Sequence, residues 1–185
     1  MNETMTVLIG TISGFIIAFL AEPVKTYFQN RAKLRNLRIA LYKELLNNYY
    51  ALTHFTVESL SDFFPPEYMA RHELRTECYK QTLQNDISLF YQLVEANATN
   101  VLYSQIDKIM SLTSDLTTTF GKRGLKKVPP VYTQFSGTFK YMFVTGFYAR
   151  TFDARILKSL VKPEQYQEIM RRGKEELEKD SSYNN

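Results

Sequence analysis

The sequence predicts an all-α protein in which a single N-terminal transmembrane helix continues into a cytoplasmic helical bundle. Three observations lead there. No charged residue occurs between Glu3 and Glu22. Apolar residues farther along recur by threes and fours, the period of a helix face. No internal repeat or Gly/Ser linker divides the remainder.

The uncharged run, Thr4 to Ala21, reads TMTVLIGTISGFIIAFLA. As a helix it measures about 27 Å, close to the thickness of a bilayer's hydrocarbon core. A cleaved signal peptide would open on a basic stretch and close on a small-x-small site. Here only Glu3 precedes the run, and it closes on AFLAE. A retained span, residues 1–24, is therefore expected. Lys25, Arg31, Lys33, Arg35, Arg38 and Lys43 follow it, with no acidic residue between Pro23 and Lys43. Lysine and arginine at the end of a span stay on the cytoplasmic side. The expected topology is single-pass, N-terminus out and C-terminal domain cytoplasmic. Arg31, Lys33, Arg35 and Arg38 form a basic surface for anionic headgroups, at about 1 kcal/mol per residue.

The span has two faces. On a helical wheel Thr6, Gly10, Thr11, Gly14 and Ala18 collect on one side, while Leu8, Ile12, Phe15 and Phe19 occupy the other. Helices in lipid approach closely where side chains are small, since lipid tails supply no hydrophobic drive between them. The small face is expected to pack against other copies of the chain. If several spans form a ring, this face lines a lumen and Glu22 and Lys25 form charged rings at its mouth. A closed bundle with no lumen is the competing arrangement.

Residues 25–180 are expected to form the bundle. Leu34, Leu37, Leu41, Leu45 and Leu52 carry the first helix on to about Leu60, past Pro23 at the junction. FFPPEY, residues 63–68, stops it, and a second helix is expected over Glu67 to Leu83. Ile87, Phe90, Val94, Ala98, Val101, Gln105, Ile109, Leu112, Leu116 and Phe120 predict one buried face of a long helix, closed by GKRG at 121–124. Residues 131–149 are aromatic-rich with one charge, Lys140. That central lysine disfavours a second span and favours a buried or interfacial helix. Pro163 opens a terminal helix to about Lys179, and residues 181–185 are expected to fray.

Chemistry is sparse. One cysteine, Cys78, excludes an intrachain disulfide framework and fits a reducing compartment. His54 and His72 are the only histidines, and neither has zinc-ligand spacing. P-loop, G-x-S-x-G and dinucleotide-binding patterns are absent. Glu44, Glu58, Asp62, Glu73 and Glu77 read as surface helix charges. No catalytic residue, metal or cofactor is expected. A weaker reading remains in helical ribonucleases of the HEPN kind, which pair an arginine with a histidine four to six residues later. For His54 that place falls to Asn48 and its neighbours, which carry no charge.

In its span, the basic helix after it and its all-helical remainder, the chain resembles the small membrane-anchored Csx-type accessory proteins of type VI-B CRISPR systems. They form a divergent HEPN-like helical family. The resemblance covers the layout of the chain rather than a motif, and makes Asn48 and His54 degenerate HEPN-like positions. It implies a bacterial inner-membrane location and antiviral defence through an oligomeric membrane pore that permeabilises or depolarises that membrane. The implied partners are further copies of the chain, the bilayer and an RNA-guided CRISPR effector; direct nucleic-acid binding is not expected. The alternative is a non-conducting membrane-anchored adaptor that recruits a cytoplasmic partner.

Overall fold

A computed structural model describes the backbone of residues 3–54, 74–120, 125 and 127–183, and side chains throughout these except at 3–20, 54 and 183. The chain forms two compact units, residues 1–38 and 39–185. Among the described residues every regular element is a helix. These are α1 (Glu3–His54), α2 (Glu77–Asn85), α3 (Ile87–Phe90), α4 (Ala96–Phe120), α5 (Pro130–Tyr148), α6 (Ala154–Leu160) and α7 (Pro163–Tyr183). The all-α class is thus what the chain adopts.

In the first unit α1 runs unbroken through Pro23. A proline inside a helix removes one backbone donor, and the flanking residues still continue the helix here. From Ala21 to Lys33 every side chain is exposed. Among the described residues no helix is long and apolar enough to cross a membrane. Residues 3–20, which carry the predicted span, are described as helical backbone only.

The second unit is built around the rest of α1 and around α5. Leu41, Tyr42, Leu45, Leu46, Asn48, Tyr49 and Leu52 of α1 are buried. α5 packs against both α4 and α7. Phe139, Phe143 and Phe147, one turn apart on α5, are fully buried and meet α1 through rings: Tyr49 stacks on Phe143 at 4.6 Å and Tyr42 meets Phe147 edge-on at 5.2 Å. Such pairs add about 0.5–1.5 kcal/mol each beyond the area they bury. Of the two expected settings, buried or interfacial, the aromatic segment takes the first: it is a core helix.

Local signals set the helix ends. Pro130 takes the first position of α5, where its missing N–H costs nothing. Asp153 caps α6 by accepting from the Arg155 N–H at 3.0 Å. The Gln165 side chain reaches back to the Lys162 N–H at 3.1 Å ahead of α7, half of a capping box. α5 ends at Tyr148; two residues on, Arg150 takes a left-handed φ of 63°, and the Phe152 N–H returns to the Gly146 carbonyl at 3.1 Å. Gly146 must be glycine, because a Cβ there would run into the Phe152 ring. At Gly173, on α7, a Cβ would meet the Val144 carbonyl of α5. That close approach sets the α5–α7 spacing.

Four expectations are corrected. The long stripe from Ile87 is not one helix: α3 ends at Phe90, residues 91–95 turn, and α4 begins at Ala96. Val94 is 95% exposed, and Ile87, Val101 and Phe120 are exposed as well. The buried residues of α4 are Ala96, Thr99, Leu102, Tyr103, Gln105, Ile106, Ile109 and Thr113, of which only Gln105 and Ile109 belong to the expected stripe. The intervening turn resets the phase, and a three-four spacing admits more than one stripe on a helix with apolar residues on two sides. Glu44 is buried rather than on the surface. α6, whose seven residues are too few for a clear period, was not foreseen. Ser181 to Tyr183 are helical rather than frayed, with the Ser181 and Ser182 hydroxyls donating to carbonyls of the preceding turn. Of the expected second helix, the described part is Glu77–Asn85. Residues 55–73, which include the foreseen stop at 63–68 and His72, lie outside the described residues, as does 121–124.

Candidate membrane interface

The residues singled out in the sequence separate into three groups. Thr6, Gly10, Thr11, Gly14 and Ala18 lie on α1, and their side chains are outside the described residues. Glu22 and Lys25 follow one turn later and are exposed. Arg31, Lys33 and Arg35 are exposed too, while Arg38 is half-buried and engaged.

Between these cations stands an aromatic cluster that sequence reading passed over. Val24 is 51% exposed and Tyr27 and Phe28 are each 61% exposed, the two rings meeting edge-on at 5.7 Å. A water-facing helix gains nothing from two adjacent bare rings. Aromatic rings and long cations are enriched together at the level of lipid headgroups, where an apolar body and a polar tip are both accommodated. The signal was present in the sequence as YF directly after an uncharged run.

Asn48, one of the two degenerate nuclease-like positions, has a structural occupation. Asn48 is fully buried: its Nδ2 donates to the Arg75 carbonyl at 2.8 Å and its Oδ1 accepts from the Arg75 N–H at 2.7 Å. One helical turn earlier, the Glu44 carboxylate accepts from the N–H groups of Cys78 and Tyr79 at 2.8 and 3.2 Å. These are orphan donors of the first turn of α2, so Glu44 caps that helix from across the core. Glu44 also accepts from the Tyr103 hydroxyl at 2.7 Å. Burial, and then the adjacent Glu44 charge, push the Tyr103 phenol far above its ordinary range. Tyr79 stacks on Tyr103 with centroids 4.0 Å apart. A second buried pair runs parallel: Tyr42 donates to Glu95 at 2.8 Å and accepts from the Asp153 N–H at 2.9 Å. Each polar group in this network finds a partner, which is what makes its burial tolerable. Cys78 is half-buried, and burial followed by the Glu44 charge raises its thiol, away from a reactive thiolate. The His54 side chain is outside the described residues.

Among the described residues no group of three His, Cys, Asp or Glu side chains is placed to hold a metal ion. No family model, curated protein or solved structure matches this chain.

Proposed function

We propose that this chain is a membrane-anchored protein whose N-terminal helices assemble in the bilayer, forming a pore that depolarises the inner membrane in antiviral defence. The observation that carries the membrane part is the exposed Val24–Tyr27–Phe28 cluster. It is set among Lys25, Arg31, Lys33 and Arg35, immediately after an uncharged stretch of the same helix. An interfacial belt belongs at that place on a single-pass helix. The excess of cations on that side puts the bundle in the cytoplasm. Assembly is supported by the small face of Thr6, Gly10, Gly14 and Ala18. The defence setting, with an RNA-guided effector as partner, rests on the layout resemblance alone.

The second reading is a non-conducting anchored adaptor. It is favoured by Ile87, Tyr91 and Val94, large apolar side chains left exposed around α3 on the bundle. One experiment separates the two. Gly10→Leu with Gly14→Leu keeps the segment apolar and preserves insertion, but holds neighbouring helices apart. Ile9→Leu with Ile16→Leu changes the opposite face and serves as control. Cross-linking in membranes reads assembly, and a potential-sensitive dye reads conduction. The pore reading expects both to fall in the glycine variant and neither in the control. Assembly without any depolarisation in the parent supports the adaptor; equal cross-linking of both variants removes the small face from the mechanism.

A further inference from the structure

The second unit carries an apolar surface besides its core: a cleft of about 340 Å³ along α5, walled by α4 and α7. Ala98 and Leu102 line it from α4, Met142, Thr145 and Ala149 from the end of α5, and Leu177 from α7. Spacing by threes and fours turns one stripe of each helix toward the same space. Gly146 and the Phe152 ring complete the lining.

This cleft offers an occupant almost no hydrogen bond. The Thr145 hydroxyl donates to the Tyr141 carbonyl of its own helix at 2.8 Å, and the Tyr141 hydroxyl donates to Asp180. No charged side chain is among the lining residues. A group that enters must be apolar, because a polar one would lose its water without replacement. Charge stands only beside the cleft. Arg150, between the lining residues Ala149 and Thr151, is exposed and makes no ion pair among the described residues.

The same bundle presents the converse surface. Ile87, Tyr91 and Val94 are 51%, 58% and 95% exposed and follow one another by four and three residues through α3 and the turn after it. The core holds this edge from beneath: the fully buried Phe90 meets the Tyr91 ring edge-on at 5.4 Å. Asp86, next to Ile87, is exposed, makes no side-chain cap bond to α3 and no ion pair among the described residues. One chain thus offers an apolar edge beside a free acid, and an apolar cleft beside a free cation.

We infer that the α3 edge of one copy docks into the α4–α5–α7 cleft of a second copy, with Asp86 facing Arg150 of the partner subunit across the rim. Removing Ile87, Tyr91 and Val94 from water supplies the attraction. The rim charges, opposite in sign, set the register and reject the reverse seating. The two surfaces differ, so each copy can give its edge to one neighbour and its cleft to another. The contact is small, and its occupancy rests on the assembly reading of the span. Chains tethered in one assembly meet at a high effective concentration, at which a weak contact is filled.

The test is cross-linking of the full-length chain in membranes with a short bis-maleimide, every variant also carrying Cys78→Ser. Val94→Cys and Ala149→Cys chains with different tags are co-expressed, and Ala18→Cys chains report span assembly separately. A product with both tags is expected, about tenfold more than from Val94→Cys with Ser114→Cys, an exposed site in a distant turn of α4. Asp86→Arg or Arg150→Asp, added to both chains, should each lower that yield about threefold. The two exchanges together should restore it, which a folding defect would not do. Linking through Ala18→Cys without the 94–149 product overturns the docking and leaves the span assembly in place. The 94–149 product without span linking overturns the assembly reading and leaves the docking in place. Equal linking to Ser114→Cys, or a double exchange no better than either single one, would also overturn the docking. Thermal melts establish that each variant folds.

Discussion

The two halves of α1 share one backbone helix and opposite surroundings. Residues 21–33 show every side chain to the exterior, including two aromatic rings. Residues 41–52 leave only Lys43 and Asn47 exposed and bury the acid Glu44 and the amide Asn48. The contrast shows that polarity alone does not sort a helix between solvent and core. Tyr27 and Phe28 remain exposed because the described residues of their unit offer nothing to cover them. Glu44 and Asn48 are buried because backbone donors and acceptors of residues 75–79 meet them at bonding distance. Unsatisfied, either would be a cost of roughly 1–3 kcal/mol.

The largest expected effect pits the two halves directly. Leu45→Asp places an unpaired charge at a site 1% exposed and should abolish cooperative folding of the bundle. Phe28→Asp, at a site 61% exposed, should leave the bundle's melting transition within about 0.5 kcal/mol of the parent, while weakening association with anionic vesicles. Circular-dichroism melts and vesicle flotation read the two. If the Phe28 variant unfolds the bundle, the contrast between the halves fails.

Next in size is the α4 face. Ile106→Ala, at a fully buried position, should cost about 2–5 kcal/mol in urea unfolding. Val101→Asp, on the exposed side, should cost under about 0.5 kcal/mol. The reverse ranking would restore the stripe read from sequence.

Glu44→Gln sharpens the account of the buried polar half. It keeps the shape but loses the charge facing the first turn of α2, and turns one acceptor into a donor. A loss of about 1–3 kcal/mol is expected. Hydrogen exchange should rise first at the Cys78 and Tyr79 amides.

The smallest effect at neutral pH is an alkaline limit. Burial and the Glu44 charge raise the Tyr103 phenol, and burial raises Tyr132 to about 12. In the unfolded chain both ionise near pH 10. Above that value the unfolded state releases protons that the folded state keeps, so stability is full below about pH 10 and falls as pH rises. Each group lowers the folding equilibrium about tenfold per pH unit until its folded-state value is reached. Tyr103→Phe should start from a less stable baseline and fall less steeply. A parent melting temperature that stays level from pH 9 to 11 would contradict the buried phenols.

The sequence by itself determined the helical class, the uncharged N-terminal run with its small face and basic flank, an aromatic segment buried or interfacial rather than spanning, and the proline-marked start of α7. These are local properties: periodicity, backbone restriction by proline and charge density act within a few turns of their own residues. Only the tertiary structure decided which of two possible stripes α4 buries, that Glu44 caps a helix more than thirty residues away, and that Lys140 and Arg172 line one cleft. Each of these depends on which helices meet and at what spacing, set here by the turn at 91–95 and the close approach at Gly173. A residue's neighbours along the chain carry no record of partners that only packing brings within bonding distance.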